Sequence, residues 1–536
     1  MTSRRYKQGI DRSQGMLLPP SIEEYVRKDN PVRAIDVYVN SLDMEGMGFQ
    51  NTIGGLTPGQ PAYLPAAMLK LYLYGYLNGV RSSRKLEKET HRNLEVIWLM
   101  QGMRPSYKTI ADFRKVNLEA LKGVNRDFLE LCKEFGLFGR ELIGIDGSFF
   151  RGNASKRNIY TKKQLKKALD RLEKQIETYL EEMDKADEEE ADQEGNDTSL
   201  EEKLEALKDR QKKHKERLEK LRESEQKQIS EVDEDARLLY KNGQAVAGYN
   251  VQIAVDEKHK LLVACEVTND GNDHRQLEPM AKKSQQILET ETLEVVADGG
   301  YFNLLQIKAC GEIGITSFIP VRDWNTRVRD QGRFTKEDFH YNPELDGYEC
   351  PAGHILNLRS TYMSNGKRIF RYGSKESNCV RCTHKDTCLP EKTPFRQITR
   401  WEDEQILIAH RERMAQQGSE KMRLRAAIAE HPFGTLKQQC GWSHFLLRGI
   451  QKVSAEMDLL MLSYNFKRVL NILGLEAFRT YCLQRVKKRK QEASIHPHNQ
   501  SLVVFFLRLF HKMAIFTRIH HHVVLEKQIS FSCAIS

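Results

Sequence analysis

Two aspartates stand at the ends of short apolar segments whose residues favour β-strands. Asp146 follows residues 142–145, and Asp298 follows residues 293–297. A carboxylate at the end of such a strand is costly unless it faces solvent, a cation or a reacting group. A single aspartate of this kind is more often a turn former. Because two such strands precede a glutamate on a basic helical segment, the residues predict a carboxylate site for metal ions.

The predicted site suits phosphodiester chemistry. Mg²⁺ prefers hard oxygen ligands and usually keeps positions for water and phosphate oxygens. Two such ions about 4 Å apart can activate a nucleophile and stabilise the leaving oxygen. Three carboxylates in one pocket would otherwise repel one another, and bound cations remove that cost. We therefore expect two Mg²⁺ (or Mn²⁺) ions as cofactors. The third carboxylate has two candidates, Glu430 and Glu456, and their residue type alone leaves both open.

A second group of residues has the spacing of a zinc site. Its four cysteines are Cys350, Cys379, Cys382 and Cys388, with His354 or His384 as substitutes. A C-x-x-C pair with two further thiols nearby fits tetrahedral, structural Zn²⁺. The alternative is that the thiols are reduced and unliganded. Because the segment has few apolar residues, we expect it to need zinc in order to fold. A later triplet, His520–522, is more simply a solvated surface feature.

The charge of the chain favours a polyanion as partner. Among 536 residues, 84 Lys and Arg exceed 74 Asp and Glu, for a formal charge of +10. An acidic stretch at about 181–205 makes the remainder more basic still. Such a surface fits nucleic acid, although a generic basic protein has the same balance. The N-terminus lacks a signal-peptide pattern and no long uncharged apolar run occurs. We therefore expect a cytoplasmic protein that does not enter a membrane.

Hydrophobic periodicity divides the chain into regions. Residues 245–320 alternate strand and helix patterns, which predicts an α/β layer with a mixed sheet. Leucines at alternating four-residue and three-residue spacing predict a coiled coil. We expect a helical DNA-binding domain at 1–135, a catalytic core at 136–340 and 396–475, a coiled-coil hairpin inserted at 160–230, a loop-rich, Cys-rich insert at 341–395, and a basic and apolar tail at 476–536. The helical domain also fits a plain helical bundle.

Taken together, these motifs resemble the DDE transposases of bacterial insertion sequences, specifically the branch with an RNase H-like core and a Y-R-E-K signature. The resemblance covers about residues 15–475. It rests on the helical N-terminal block and on segments 145–148, 153–156, 298–301, 430–437 and 445–449.

The resemblance implies the roles of particular residues. It implies that Asp146, Asp298 and Glu430 bind the metal ions, and it favours Glu430 over Glu456. It also implies DNA contacts for Lys437, Arg425, Arg448 and Lys156. Glu430 and Lys437 keep the family's six-residue gap. Arg425 is one residue out of register, and Met422 replaces the signature tyrosine.

The activity implied is cleavage of double-stranded DNA at the terminal repeats of an element, followed by joining of its 3′ ends to target DNA. Because two ends are processed, a homodimer is expected, with the coiled coil as a candidate contact. Two other functions share these residues. One is an RNase H-like nuclease without strand transfer, and the other is an inactive, transposase-derived DNA-binding protein.

Overall fold

The computed structural model describes residues 21–52, 61–189, 197–224, 226–241, 243–321, 323, 325–439 and 441–495. The chain divides into two compact units. The smaller comprises residues 1–74, 87–106 and 469–536, and the larger comprises 75–86 and 107–468. This division differs from the expected boundary at residue 135. In the described part of the chain, no helix is both long and apolar enough to cross a membrane.

In the described residues, the α-helices are α1 (Ile22–Tyr25), α2 (Val32–Asn40), α3 (Pro65–Leu77), α4 (Ser83–Arg92), α5 (Leu94–Leu99), α6 (Tyr107–Val116), α7 (Leu118–Glu134), α8 (Lys162–Glu189), α9 (Asp197–Glu223), α10 (Leu277–Leu288), α11 (Leu304–Glu312), α12 (Thr326–Asp330), α13 (Glu376–Val380), α14 (Lys385–Cys388), α15 (Glu404–Gly434), α16 (Ile450–Leu473) and α17 (Leu475–Ile495). The strands are β1 (Leu142–Arg151), β2 (Ile159–Thr161), β3 (Gln228–Ser230), β4 (Arg237–Lys241), β5 (Gln244–Asp256), β6 (Leu262–Thr268), β7 (Leu293–Val296), β8 (Ile315–Phe318), β9 (His340–Asn342), β10 (Gly347–Glu349), β11 (Ile355–Ser364), β12 (Lys367–Gly373) and β13 (Gln397–Trp401).

The smaller unit is helical where it is described. One face of α2 carries Val32, Ile35, Tyr38 and Val39, and all four side chains are buried. Tyr38 packs on Phe478 of α17 with ring centroids 6.2 Å apart. This spacing of apolar residues follows the 3.6-residue period of a helix that buries one face.

The larger unit is built on a mixed sheet, as the alternating patterns predicted. The strand order is β4-β5-β1-β7-β8, and β6 also pairs with β5. β1 is antiparallel to β5 but parallel to β7, which is in turn parallel to β8. The predicted hairpin of β5 and β6 is present. β4 was not predicted, and it pairs with the first residues of β5.

Two long helices extend from the sheet between β2 and β3. These two short strands pair with each other, so they form the base of the α8–α9 hairpin. Leu165 near the start of α8 packs against Leu218 and Leu221 near the end of α9. The helices are therefore antiparallel, as the leucine spacing predicted. Residues 190–196, in the middle of the acidic stretch at about 181–205, lie outside the described residues.

The Cys-rich segment folds as a sheet, so the expectation of a loop-rich insert was wrong. Its five antiparallel strands have the order β13-β12-β11-β10-β9 and extend to Trp401. The sheet has its own apolar cluster, formed by Phe339, Tyr348, Leu356, Tyr372 and Ile398. Three of these five side chains are aromatic, and aromatic side chains bury large areas. Whether the segment needs zinc in order to fold stays a prediction.

Helix α15 lies unusually close to β1 at Gly144. A Cβ atom at this position would stand 2.9 Å from Ile428 Cγ2 and 3.3 Å from the Ala429 methyl group. Ile428 and Ala429 are fully buried. Only glycine permits this approach, which brings the last turns of α15 onto the first half of β1, close to Asp146.

We predict that Gly144→Ala lowers the free energy of unfolding by about 1–3 kcal/mol, because the added methyl overpacks this contact. Urea denaturation measures the change. Gly311→Ala is the matched control, since a methyl group there meets nothing within 4 Å. Equal stabilities of the two variants would contradict the close approach of α15.

Candidate active site

The two aspartates lie just beyond the point where β1 and β7 stop pairing, Asp146 within β1 and Asp298 after the end of β7. Gly144 of β1 pairs with Val296 of β7. Asp146 and Asp298 each stand two residues further along the chain, and both are half-buried. Adjacent strands are about 4.8 Å apart. The fold therefore brings these two predicted residues into one site.

Backbone amides orient both carboxylates. Asp146 Oδ1 accepts a hydrogen bond from Gly147 N at 2.8 Å. Asp298 Oδ1 accepts one from Gly300 N at 2.9 Å, at the start of the 3₁₀ turn Gly299–Tyr301. These local bonds fix the direction of each carboxylate relative to its strand.

Tyr301 lies fully buried beside the aspartates. Burial raises the pKa of its hydroxyl well above the ordinary value, and three negative charges raise it further, those of Asp273, Asp146 and Asp298. The hydroxyl therefore stays protonated and donates its hydrogen to Gln252 Oε1. All three carboxylates are therefore close enough to Tyr301 to raise the pKa of its hydroxyl.

Glu430 is carried to this region by α15 but is paired with a cation. It follows the buried Ala429, and its side chain is 62% exposed. Arg425 Nη2 donates to Glu430 Oε1 at 3.0 Å. Among the described residues, no three His, Cys, Asp or Glu side chains form a group that could hold a metal ion. The structure therefore places the two aspartates near each other, whereas the side chain of Glu430 is hydrogen-bonded to Arg425.

Lys437 lies against β1 just beyond Asp146. It belongs to the π-helical segment Thr435–Gln439, which continues α15 after Pro432. Its Nζ donates to Ser148 Oγ at 2.6 Å and to the Phe149 carbonyl at 2.7 Å. Departures from α-helical winding of this kind are frequent at functional sites. Here the altered winding accompanies a cation placed beside the strand that bears Asp146.

Two further predicted residues share an exposed surface past the end of β1. Phe445 N donates to the Arg151 carbonyl at 2.8 Å, which ties the loop after α15 to this strand. Arg448 Nη2 lies 3.4 Å from Asn153 Oδ1. Arg448 and Lys156 are both exposed. The loop and the strand end together present a basic surface.

Glu456 is a packing residue of α16. Its side chain is fully buried. It accepts hydrogen bonds from the backbone of Leu446 and Leu447, at 3.0 and 3.1 Å to Oε2, and Arg81 Nη1 lies 3.4 Å from its Oε1. Burial raises its pKa, although the positive charge of Arg114 opposes the shift. Glu456 therefore holds the loop that bears Arg448.

Asp273 was left out of the predicted site, yet it lies beside the aspartate pair. Its Oδ1 accepts hydrogen bonds from Asn250 Nδ2 at 2.8 Å and from Gln252 Nε2 at 2.7 Å. Both amides are fully buried. The sequence held a signal for this contact, because two amides at i and i+2 of an apolar strand share a face and need buried partners.

The four cysteines of the sheet insert line one small pocket together with His354. None forms a disulfide. Burial raises the pKa of the Cys388 thiol; the charge of Arg396 opposes this, and the other three thiols of the cluster raise it further. His354 N lies 3.3 Å from Cys350 Sγ. His384 packs its ring on Phe334, with centroids 5.8 Å apart.

Comparisons with known proteins identify the family. Residues 20–116 match a family described as "Transposase domain (DUF772)", and residues 209–466 match the "Transposase DDE domain". The second match includes Asp298 and Glu430 and begins after Asp146. The chain belongs to the DDE transposases of bacterial insertion sequences, and its function is that of a transposase.

No curated protein matches the chain. Among solved structures, the cryo-EM structure of a piggyBac transposase synaptic complex with hairpin DNA is similar over 85% of this chain and 79% of that one. The identity is 9% and the TM-score is 0.30. At that score the likeness carries no argument about the site.

Substitution of the two candidate glutamates should change the free energy of unfolding by very different amounts. Glu456→Ala should cost about 3–5 kcal/mol, because it leaves a buried arginine and two amides without their partner. Glu430→Ala should change stability by less than about 0.5 kcal/mol, since surface substitutions rarely cost more. Thermal and urea unfolding compare the two proteins. A large loss for Glu430→Ala would show that this residue is structural.

Proposed function

We propose that this transposase cuts DNA at the ends of an insertion sequence and joins the 3′ ends to target DNA. The observation that carries the proposal is that Asp146 of β1 and Asp298 after β7 both stand two residues beyond the last pair of these adjacent parallel strands. The order β6-β5-β1-β7-β8, with three antiparallel strands followed by two parallel ones, supports an RNase H-like core. Cleavage and joining are both in-line displacements at phosphorus, so one site serves both.

The donor set fits Mg²⁺ or Mn²⁺, because it offers carboxylate oxygens only. Asp146 and Asp298 would hold the ions, and Glu430 would complete the set by exchanging Arg425 for the ion. Two bound ions would lower the pKa of the attacking hydroxyl and offset the charge of the leaving oxygen. This exchange would also release the Arg425 guanidinium, which could then contact DNA phosphate.

Each joining step breaks one phosphodiester bond and forms one. Water attacks the phosphorus at the element end, the P–O3′ bond breaks, and a 3′-hydroxyl is released. That hydroxyl then attacks a target phosphorus, forms a new P–O3′ bond and displaces the target's own 3′-hydroxyl. Asp146, Asp298 and Glu430 would accept or direct the protons involved through their carboxylate oxygens.

Basic residues around the site would position the DNA. Lys437 lies beside the Asp146 strand, and Arg448 and Lys156 are exposed past its end. Phosphate contacts of this kind give affinity that falls steeply with salt. We propose that the helical N-terminal region recognises the terminal repeats, and that two protomers act together on bacterial chromosomal DNA in the cytoplasm. The α8–α9 hairpin, as a coiled coil, is a candidate contact between them.

The test is cleavage of a plasmid that carries the element with its native ends. With Mg²⁺, the protein should nick at the ends and then form joined products. Asp298→Asn should abolish both, a loss of at least about 10³-fold, because a neutral amide binds the ion poorly. Glu312→Gln, an exposed acid on α11, is the control for lost charge.

Other outcomes select the alternatives. Nicks without joined products would identify a nuclease. Specific binding without nicks in the unmodified protein would identify an inactive DNA-binding copy. Full activity of Asp298→Asn would overturn the assignment of this site.

We also propose a structural Zn²⁺ ion in the sheet insert, held by Cys350, Cys379, Cys382 and Cys388. The support is the shared pocket and the effect of the other three thiols on the pKa of the Cys388 thiol. Zinc favours four tetrahedral thiolate ligands. The ion would join α13, α14 and the turn after β10.

Purified protein should contain about one zinc per chain, and Cys382→Ser should lose it while also melting at a lower temperature. Elemental analysis measures the metal. Cys310→Ala serves as control, because this buried thiol lies in α11, outside the cluster. Protein that is free of zinc yet equally stable would show that the thiols are unliganded.

A further inference from the structure

Asp273 extends the site beyond the two aspartates at the strand ends. It lies in the turn between β6 and α10, and it is half-buried. Its Oδ1 is held by two amides of β5, those of Asn250 and Gln252. A carboxylate held by two buried amides on a sheet has a fixed position.

The second oxygen of Asp273 lies near Gly300, two residues after Asp298. A Cβ atom at Gly300 would stand 3.8 Å from Asp273 Oδ2 and 2.9 Å from Asp298 Oδ1. A Cβ atom at Gly147, the residue after Asp146, would stand 2.8 Å from Asp273 Oδ1. Because Gly147 and Gly300 have no side chains, the Asp273 carboxylate can lie close to the backbone that follows Asp146 and Asp298.

A chain of buried donors fixes this arrangement. The Tyr301 hydroxyl donates to Gln252 Oε1, so the amide nitrogen of Gln252 faces Asp273. The same nitrogen lies 3.1 Å from Asn250 Oδ1. Each amide therefore has one available orientation, and Asp273 receives two hydrogen bonds on one oxygen.

We propose that Asp273 is a positioning residue of the transposase site, which strengthens the binding of divalent cations by Asp146 and Asp298. Its carboxylate adds negative charge beside Asp298, where opposite charges attract in a partly buried setting. Its Oδ2 is also placed to accept hydrogen bonds from waters that Mg²⁺ retains. The inference rests on the proposed function of the aspartate pair.

The test is a titration of the full-length protein with Mn²⁺ in the absence of DNA. Electron paramagnetic resonance measures the affinity for the ion. Asp273→Asn keeps the shape and the acceptor Oδ1 but removes the charge. It should weaken Mn²⁺ binding roughly tenfold, as loss of an outer-shell partner does at metal sites. Asp270→Asn is the matched control. It lies in the same turn, but its carboxylate accepts from Gln276 instead, so binding should stay unchanged.

A second readout separates positioning from a structural role. Cleavage by Asp273→Asn should recover as the Mg²⁺ concentration is raised, whereas Asp298→Ala should not recover. Wild-type Mn²⁺ affinity in Asp273→Asn, with loss in Asp298→Ala, would overturn the role of Asp273 alone. Wild-type affinity in Asp298→Ala would overturn the metal site itself.

Tyr301→Phe provides an independent variant if Asp273→Asn is unstable. It removes only the hydroxyl that orients Gln252 and keeps the buried ring. Mn²⁺ binding should weaken by roughly two- to threefold, less than for Asp273→Asn, because the carboxylate charge remains. Unchanged Mn²⁺ binding in Tyr301→Phe would contradict the donor chain.

Discussion

The placement of two negative charges side by side is the constraint on which the rest of the larger unit depends. Asp146 and Asp298 both lie two residues beyond the last pair of the parallel strands β1 and β7, and neighbouring like charges repel in a partly buried setting. Local backbone amides at Gly147 and Gly300 offset part of that repulsion. The neutral Tyr301 hydroxyl adds no charge beneath them. The fold thus keeps an arrangement that is unfavourable by itself and that a divalent cation would relieve.

Helix α15 brings positive and negative groups to the same strand end. Gly144 allows the helix to lie directly on β1, which sets the position of Glu430. The π-helical segment that follows carries Lys437 back onto β1. In this arrangement Arg425 neutralises Glu430 and Lys437 bonds to strand atoms. Arg425 and Lys437 are therefore already engaged within the protein, and DNA or metal ions would have to exchange with these internal partners.

The core elements were predictable because short apolar runs mark the strands, and because a helical apolar period marks α10. The β5–β6 hairpin, α10 and the two aspartate strands follow from such patterns, as does the α8–α9 hairpin from its leucine spacing. The five-stranded insert was missed because β11 exposes most of its residues, so its sequence lacks alternation. The polar segment 269–274 could line the site on sequence grounds, but Asp273 was not among the predicted residues because such a cluster is more often simply a turn.

Both insertions leave the core sheet unchanged because each closes on itself. The α8–α9 hairpin departs after β1 and returns through β3, which pairs with β2 at its base. The second sheet departs after β8 and returns at Trp401, just before α15, with its own apolar cluster. An insert whose ends are already close adds little loop-closure entropy to the folding of its host. The pairings that align Asp146 with Asp298 are therefore independent of both insertions, and the site can be maintained while the inserts serve other contacts.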